Sequence, residues 1–379
     1  MCVVGARPNF MKMAPILRAM DAQDPPVPHL LVHTGQHYDA DMSGRLFEDL
    51  RLPRPDINLE VGSGSHAVQT AEVMKRFEAA MDEHRPSCVL VVGDVNSTLA
   101  CALVASKKQV PTVHVEAGLR SGDRRMPEEI NRVLTDQIAD RLYTTERSAL
   151  DNLLREGVAA ERVVFTGNVM IDSLLASREV AVPPAATLAQ HGGNPAWVDG
   201  TAGYAVVTMH RPSNVDSAPA LSGLLEVLAE VSRQLPLVFA MHPRTRAHIE
   251  KFGLGHFLSP QRVAVLPPQG YLEMVGLMSR ARLVLTDSGG LQEETTALGV
   301  PCLTLRENTE RPITVEQGTN TLVGRDRAAI LREVQAILAG QGKSGRVPEY
   351  WDGHAAARIV DDLATWLSES AAGQATVSA

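Results

Sequence analysis

The stretch that decides the fold is LVLTDSGGLQEETTALGVPCLTL, residues 283–305. Leu283, Val284 and Leu285 make a short apolar run suited to a buried strand. Thr286-Asp287-Ser288-Gly289-Gly290 turns from it into a helix that runs to Leu298. Gly299 stops that helix, and Val300-Pro301 opens the next strand. Two readings fit the paired glycines. Without Cβ atoms at a helix start, they let a ligand reach unpaired N–H groups and the positive dipole end, which suits phosphate. Alternatively they only let the helix pack closely. Glu294, one turn beyond Gly290, is placed to accept bonds from ribose hydroxyls under the first reading.

Working outward, strands and helices alternate almost throughout, the signature of a parallel α/β architecture. The first series has strands at 2–4, 30–33, 88–92 and 112–115. Its first strand is short enough to suggest a residue or two missing before it. A helix follows from Pro8, with Phe10, Met13, Ala14 and Leu17 on one face and a kink expected at Pro15. The series ends near Gly167-Asn168. Residues 180–202, rich in Pro, Ala and Gly and without a period, read as a linker region. A second series has strands at 204–207, 237–240, 263–266, 283–285 and 302–305, with late helices at 330–338 and 355–367. The expected organisation is an N-terminal Rossmann-like domain over 1–179, the linker region over 180–202 and a C-terminal Rossmann-like domain over 203–354. Residues 355–379 form a closing helix and tail that pack back on the first domain.

The chain has 379 residues, 44% of them hydrophobic, enough for two cores. Its net charge of −8 argues against nucleic acid or an anionic membrane as a partner. No apolar run is long enough for a bilayer, and MCVVGARP lacks a signal peptide's apolar region. Cys2, Cys88, Cys101 and Cys302 show no metal or redox spacing and read as reduced core thiols of a cytoplasmic protein.

Ligands of open parallel sheets sit at the carboxyl ends of strands, and the unusual polar residues fall there. Gly5-Ala6-Arg7-Pro8, Gly35-Gln36-His37, Asp94 and Glu116 follow strands of the first series; His210-Arg211, His242-Pro243-Arg244 and Asp287-Ser288-Gly289-Gly290 follow those of the second. Each has a plainer alternative. Arg7 is either an anion contact or a surface cation, and Asp94 either a site carboxylate or a cap for the helix near Asn96. Glu116 in an apolar strand is harder to assign to structure. Glu128 and Glu129, after Pro127, are explained by the helix dipole alone. His210 is either a core histidine or, beside Arg211, part of an anion-facing rim. His37, His114 and His242 lack ligand spacing, so no metal is expected.

Taken together, GARPNFMKMAP, TGQHYD, VVGDVNST, HVEAGLRSGDRRMPEEINR, TMHRPSNVD, TDSGGLQEE and ENTERPITVEQGTNTLVG resemble, in order, the motifs of the non-hydrolysing UDP-N-acetylglucosamine 2-epimerases. The match runs over residues 5–324. The resemblance implies two doubly wound Rossmann-like domains facing a cleft, the glycosyltransferase-B-like arrangement. It also implies a UDP-sugar substrate, no cofactor, no metal and a homodimer. Residue by residue, it implies that Arg7 and Lys12 form a basic pair near the phosphates and that Asp94, Glu116 and Glu128 are the essential carboxylates. His210 would contact the diphosphate, Ser288, Gly289 and Gly290 would form the phosphate turn, Glu294 would bind ribose, and Arg311 would lie near the nucleotide.

Three positions depart from the family pattern. Asn9 stands where many members have Glu, Met274 where many have Phe beside the uracil, and GQHYD replaces a GQHRE form tied to allosteric activation. Asn9-Phe10 also leans toward relatives that act on modified sugars such as UDP-2,3-diacetamido uronic acids. Other reactions on the same scaffold are a glycosyltransferase and a hydrolysing 2-epimerase. A silent UDP-sugar sensor would leave the carboxylates without purpose.

Overall fold

Seven described strands, β1 (Cys2–Val4), β2 (Leu31–His33), β3 (Ile57–Asn58), β4 (Val89–Val92), β5 (Thr112–Ala117), β6 (Arg141–Thr144) and β7 (Val163–Phe165), pair in parallel in the order β3-β2-β1-β4-β5-β6-β7. Six more, β8 (Ala205–Thr208), β9 (Leu237–Ala240), β10 (Val263–Leu266), β11 (Leu283–Thr286), β12 (Cys302–Thr304) and β13 (Asn320–Leu322), form a second parallel sheet, ordered β10-β9-β8-β11-β12-β13. Strand order reverses between β1 and β4 in one sheet and between β8 and β11 in the other. These are the switch points at which doubly wound sheets leave a crevice for a ligand. The computed structural model describes residues 1–35 and 47–377, so the GQHYD motif beyond Gly35 lies outside the described residues.

The first unit comprises Met1–Leu175 and Glu349–Ala379, the second Ala176–Pro348. In the first, the inner strands are buried on both faces, as their unbroken Val and Leu runs require. Helix Arg7–Asp21 continues through Pro15. Proline has no N–H to offer Met11 four residues earlier, and the hydroxyl of Ser173 donates to that orphaned carbonyl instead. Helix Ala355–Val377 packs against Arg7–Asp21. Near its start Asp172 accepts the Ala355 and Ala356 N–H groups at 3.2 and 2.7 Å, and further along Asp362 accepts from Arg141 and Tyr143.

The unpatterned stretch 180–202 is structured. It carries helix Pro184–Gln190 and a short 3-10 turn, Pro195–Trp197. Leu188 is fully buried in an apolar cluster with Tyr204, Val206 and Leu277 of the second unit. Trp197 and Val198 pack against the same cluster, and packing residues so few and so far apart leave no period for a sequence reading to find. Among the described residues, no helix is long and apolar enough to cross a membrane. All four cysteines are free and buried, and burial pushes the Cys88 thiol up to about 12.

Candidate active site

At the first switch point, β1 ends at Val4 and β4 at Val92, and the chain turns there through Gly5 and Gly93. Asn9 binds these two ends together. Its Oδ1 accepts the N–H groups of Gly5 and Ala6 at 3.1 and 3.0 Å, and its Nδ2 donates to the Val92 carbonyl at 2.9 Å. The residue that departs from the family pattern is thus committed to backbone groups.

Beside it, the buried Lys12 ammonium donates to the buried Glu116 carboxylate. Both lie against Gly93, where an added Cβ would stand 2.8 Å from Lys12 Nζ and 3.3 Å from Glu116 Oε2. Lys12 therefore serves a carboxylate in this structure, whereas the family resemblance assigns it to phosphates. Arg7, by contrast, is exposed.

Glu116 lies within β5, which runs two residues beyond the expected Val115. Its φ is +71°, in the left-handed region, and the β5–β6 register shifts between Val115 and Ala117. A non-glycine residue in that region costs on the order of 1–3 kcal/mol, a strain that persists where function or surroundings demand it. The bulge re-aims the carboxylate at the strand end.

Asp94 follows Gly93 and has a side chain 26% exposed, 3.6 Å from the guanidinium of Arg132. Asn131 Nδ2 donates to its carbonyl at 2.9 Å. Arg132 also lies 3.5 Å from Glu129. Glu129 in turn accepts from Ser121 N, Ser121 Oγ and Gly122 N at 3.0, 3.0 and 2.9 Å. Of the two glutamates after Pro127, Glu129 holds a loop, and Glu128 stays half-buried with no such bond among the described residues. No described contact joins Glu128 to the Lys12–Glu116 pair.

At the second switch point, Thr208 and Thr286 pair in register, and their hydroxyls meet at 2.6 Å. Just beyond, the fully buried Asp287 gathers four donors. They are the backbone N–H groups of His210 and Arg211 (3.0 and 2.9 Å), Asn214 Nδ2 (3.0 Å) and His210 Nδ1 (3.0 Å). Burial alone would push this carboxyl up, but the His210 hydrogen bond and charge hold it below the usual range. His210 donates through Nδ1 from a side chain 38% exposed. His242 stands 5.7 Å away, ring centroid to ring centroid.

Helix Gly289–Leu298 starts at Ser288, whose side chain makes no cap bond, and ends at Gly299 with φ +71°. The two glycines differ. A Cβ on Gly289 would stand 2.4 Å from Glu310 Oε1, whereas one on Gly290 would meet nothing within 4 Å. Gly289 lies against the Glu310 carboxylate, and Gly290 presents open backbone. Glu294 is buried on the same helix. Arg311 is buried too, 2.9 Å from Glu293, and Met274 is half-buried against the apolar cluster around Leu277.

Sequence reasoning missed Arg132, Asp136 and Asn214, and it gave His114 no role. Only Arg132, three residues after Glu129 on one helix face, carried a readable signal.

Two doubly wound parallel sheets, each with charged residues gathered at its switch point, define a two-domain α/β enzyme fold of the glycosyltransferase-B type. The family model for UDP-N-acetylglucosamine 2-epimerase matches residues 19–364, and the chain belongs to that family of epimerases. It is 41% identical over 355 residues to a UDP-N-acetylglucosamine 2-epimerase of Methanocaldococcus jannaschii, covering 90% of this chain and 95% of that one. It is also 41% identical over 365 residues to the UDP-2,3-diacetamido-2,3-dideoxy-D-glucuronate 2-epimerase of Pseudomonas aeruginosa, covering 96% and 98%. The crystal structure of the M. jannaschii UDP-GlcNAc 2-epimerase with UDP-GlcNAc and UDP superposes with a TM-score of 0.83. There the identity is 38%, over 96% of this chain and 99% of the other.

Proposed function

We propose that the protein interconverts UDP-N-acetylglucosamine and UDP-N-acetylmannosamine without hydrolysis. The C-2 hydrogen of an N-acetylhexosamine is not acidic, because no carbonyl adjoins it. Breaking the C-1 to phosphate bond makes C-1 cationic, and a carboxylate then removes the C-2 proton. The products are 2-acetamidoglucal and UDP. Protonation of C-2 from the opposite face and return of the UDP oxygen to C-1 give the epimer, with no net oxidation and no water consumed. Base and acid on opposite faces call for more than one carboxylate, and Asp94, Glu116 and Glu128 fill those roles. Arg7, His210, Ser288, Gly289 and Gly290 take the diphosphate, and Glu294, Arg311 and Met274 the rest of the nucleotide.

The observation that carries this reading is Glu116. A buried carboxylate at a strand end, in a left-handed backbone conformation and paired with Lys12, is more than a structural acceptor needs. Incubation with UDP-GlcNAc in deuterated water tests it. Proton NMR should show UDP-ManNAc carrying deuterium at C-2; free ManNAc with UDP would make the enzyme a hydrolysing one.

A second substrate reading rests on the P. aeruginosa relative, which matches as well as the archaeal one and over more of the chain. Parallel assays with the diacetamido uronate nucleotide decide between them. We further propose a homodimer working in the cytoplasm. Ile130 and Leu134, each 46% exposed, line a cavity of 250 Å³ with Val133 and Arg124 on helix Pro127–Ile138 and the loop before it. Light scattering tests the dimer.

A further inference from the structure

Two residues before Glu116 and two residues after it, the chain is tied to one carboxylate. His114 Nδ1–H donates to Asp136 Oδ1 at 2.6 Å, and the Gly118 N–H donates to Asp136 Oδ2 at 3.1 Å. The other ring nitrogen, His114 Nε2, donates to the Gly93 carbonyl at 2.7 Å, immediately before Asp94. The His114 and Asp136 side chains are both 0% exposed.

A carbonyl and an ionised carboxylate only accept, so both ring nitrogens of His114 are placed as donors. A cation, Arg120, lies 2.7 Å from Asp136 Oδ2 and also pairs with Glu156. Burial pushes the Asp136 carboxyl up, yet His114 and Arg120 together hold it below the usual range.

Stability does not explain this arrangement well. Replacing a buried ion pair with apolar residues of similar size is often neutral or stabilising. The left-handed backbone at Glu116, in contrast, survives only where its surroundings over-determine it. Asp136 supplies that constraint on both flanks.

We propose that Asp136 is a positioning residue for proton transfer. Acting through His114 and Gly118, it fixes the backbone of Glu116 and, through Gly93, the turn that carries Asp94. The two carboxylates then keep a constant separation and direction. This rests on the reading of Glu116 as an acid–base group.

The test is Asp136→Asn in the full-length enzyme. A neutral amide keeps one good acceptor and cannot serve His114, Gly118 and Arg120 together. The folded variant should bind UDP as wild type does, with KM moving by less than about threefold. Its kcat should fall by about ten- to a hundredfold, with C-2 deuterium exchange falling in proportion. A wild-type kcat in Asp136→Asn, alongside an inactive Glu116→Gln, would remove Asp136 from the mechanism and leave the reading of Glu116 intact. A Glu116→Gln enzyme with near wild-type exchange would remove that reading itself. Should Asp136→Asn fail to fold, nitrogen-15 NMR of the wild-type histidines decides. Two attached protons on His114, the Nδ1 proton far downfield, support the arrangement; one proton overturns it.

Discussion

Lys12 and Glu116 stand 104 residues apart in the chain and meet as a buried ion pair at the carboxyl end of β5. The ammonium comes from a helix that follows β1, and the carboxylate from a strand two places along the sheet. The pair therefore exists only when the sheet is fully assembled around the switch point. Removing the cation alone takes a paired positive charge away from a buried carboxylate. Lys12→Met should cost about 3–5 kcal/mol in urea unfolding, and adding Glu116→Gln should recover much of that loss. A double-variant loss equal to the sum of the two single-variant losses would show that the two side chains do not couple.

Glu116→Gln by itself keeps shape and acceptor capacity but cannot exchange a proton. Turnover should drop by roughly a hundred- to ten-thousandfold, while UDP affinity by calorimetry stays near wild type. Deuterium incorporation at C-2 near the wild-type rate would leave Asp94 and Glu128 to carry the chemistry.

The two glycines of the phosphate turn should separate in their effects. Gly289→Ala forces a Cβ onto Glu310 and should lower the melting temperature. Gly290→Ala meets open space and removes a flexible residue from a helix start, so stability should hold or rise by up to about 1 kcal/mol. UDP affinity should nevertheless fall, because the proposed site brings the diphosphate to the backbone where the new methyl would stand. Unchanged UDP affinity in Gly290→Ala would move the phosphate site off this helix.

The elements that were legible in the sequence are those whose residues repeat a pattern or stand where a strand stops. The strand-end candidates came from runs such as Val89–Val92 and Leu283–Thr286, whose apolar character is forced by burial on both faces. Strands Arg141–Thr144 and Asn320–Leu322 went unassigned because each is short and mixes polar with apolar residues, and Val163–Phe165 because an apolar run of three residues is too short to show a period. The partners of the site were the hardest to see. Asp136 reaches His114 from a helix face, and Asn214 reaches Asp287 across 73 positions of sequence. Neither side chain differs in type from a surface residue until the fold buries it.

Asp172 sets a pH dependence of stability. Burial raises its carboxyl from 3.8 to about 6, against the pull of the Ala355 and Ala356 N–H groups. A carboxyl raised in the folded state is protonated there while the unfolded chain has already ionised. The folded form is thus penalised progressively as pH climbs from about 4 to about 6, and fully above that, by about 3 kcal/mol. Asp172→Asn should flatten this part of the curve. Identical pH–stability slopes for variant and wild type between those values would contradict the assignment.

Elimination and re-addition of UDP require no oxidant and no Lewis acid. Activity should survive dialysis against a chelator with no nicotinamide added. Turnover lost on dialysis and restored by either a divalent metal or NAD would contradict the proposed route.

The division of the chain has a consequence for synthesis on the ribosome. The second unit is one uninterrupted segment, Ala176–Pro348, and all of it is translated before Glu349 is reached. The first unit, begun earlier, still lacks the helix whose Asp362 binds Arg141 and Tyr143. The usual order, in which the N-terminal unit folds first, is therefore reversed at the finish. The half that carries Glu116 waits, with the seat of its last helix uncovered, until the second unit has left the tunnel.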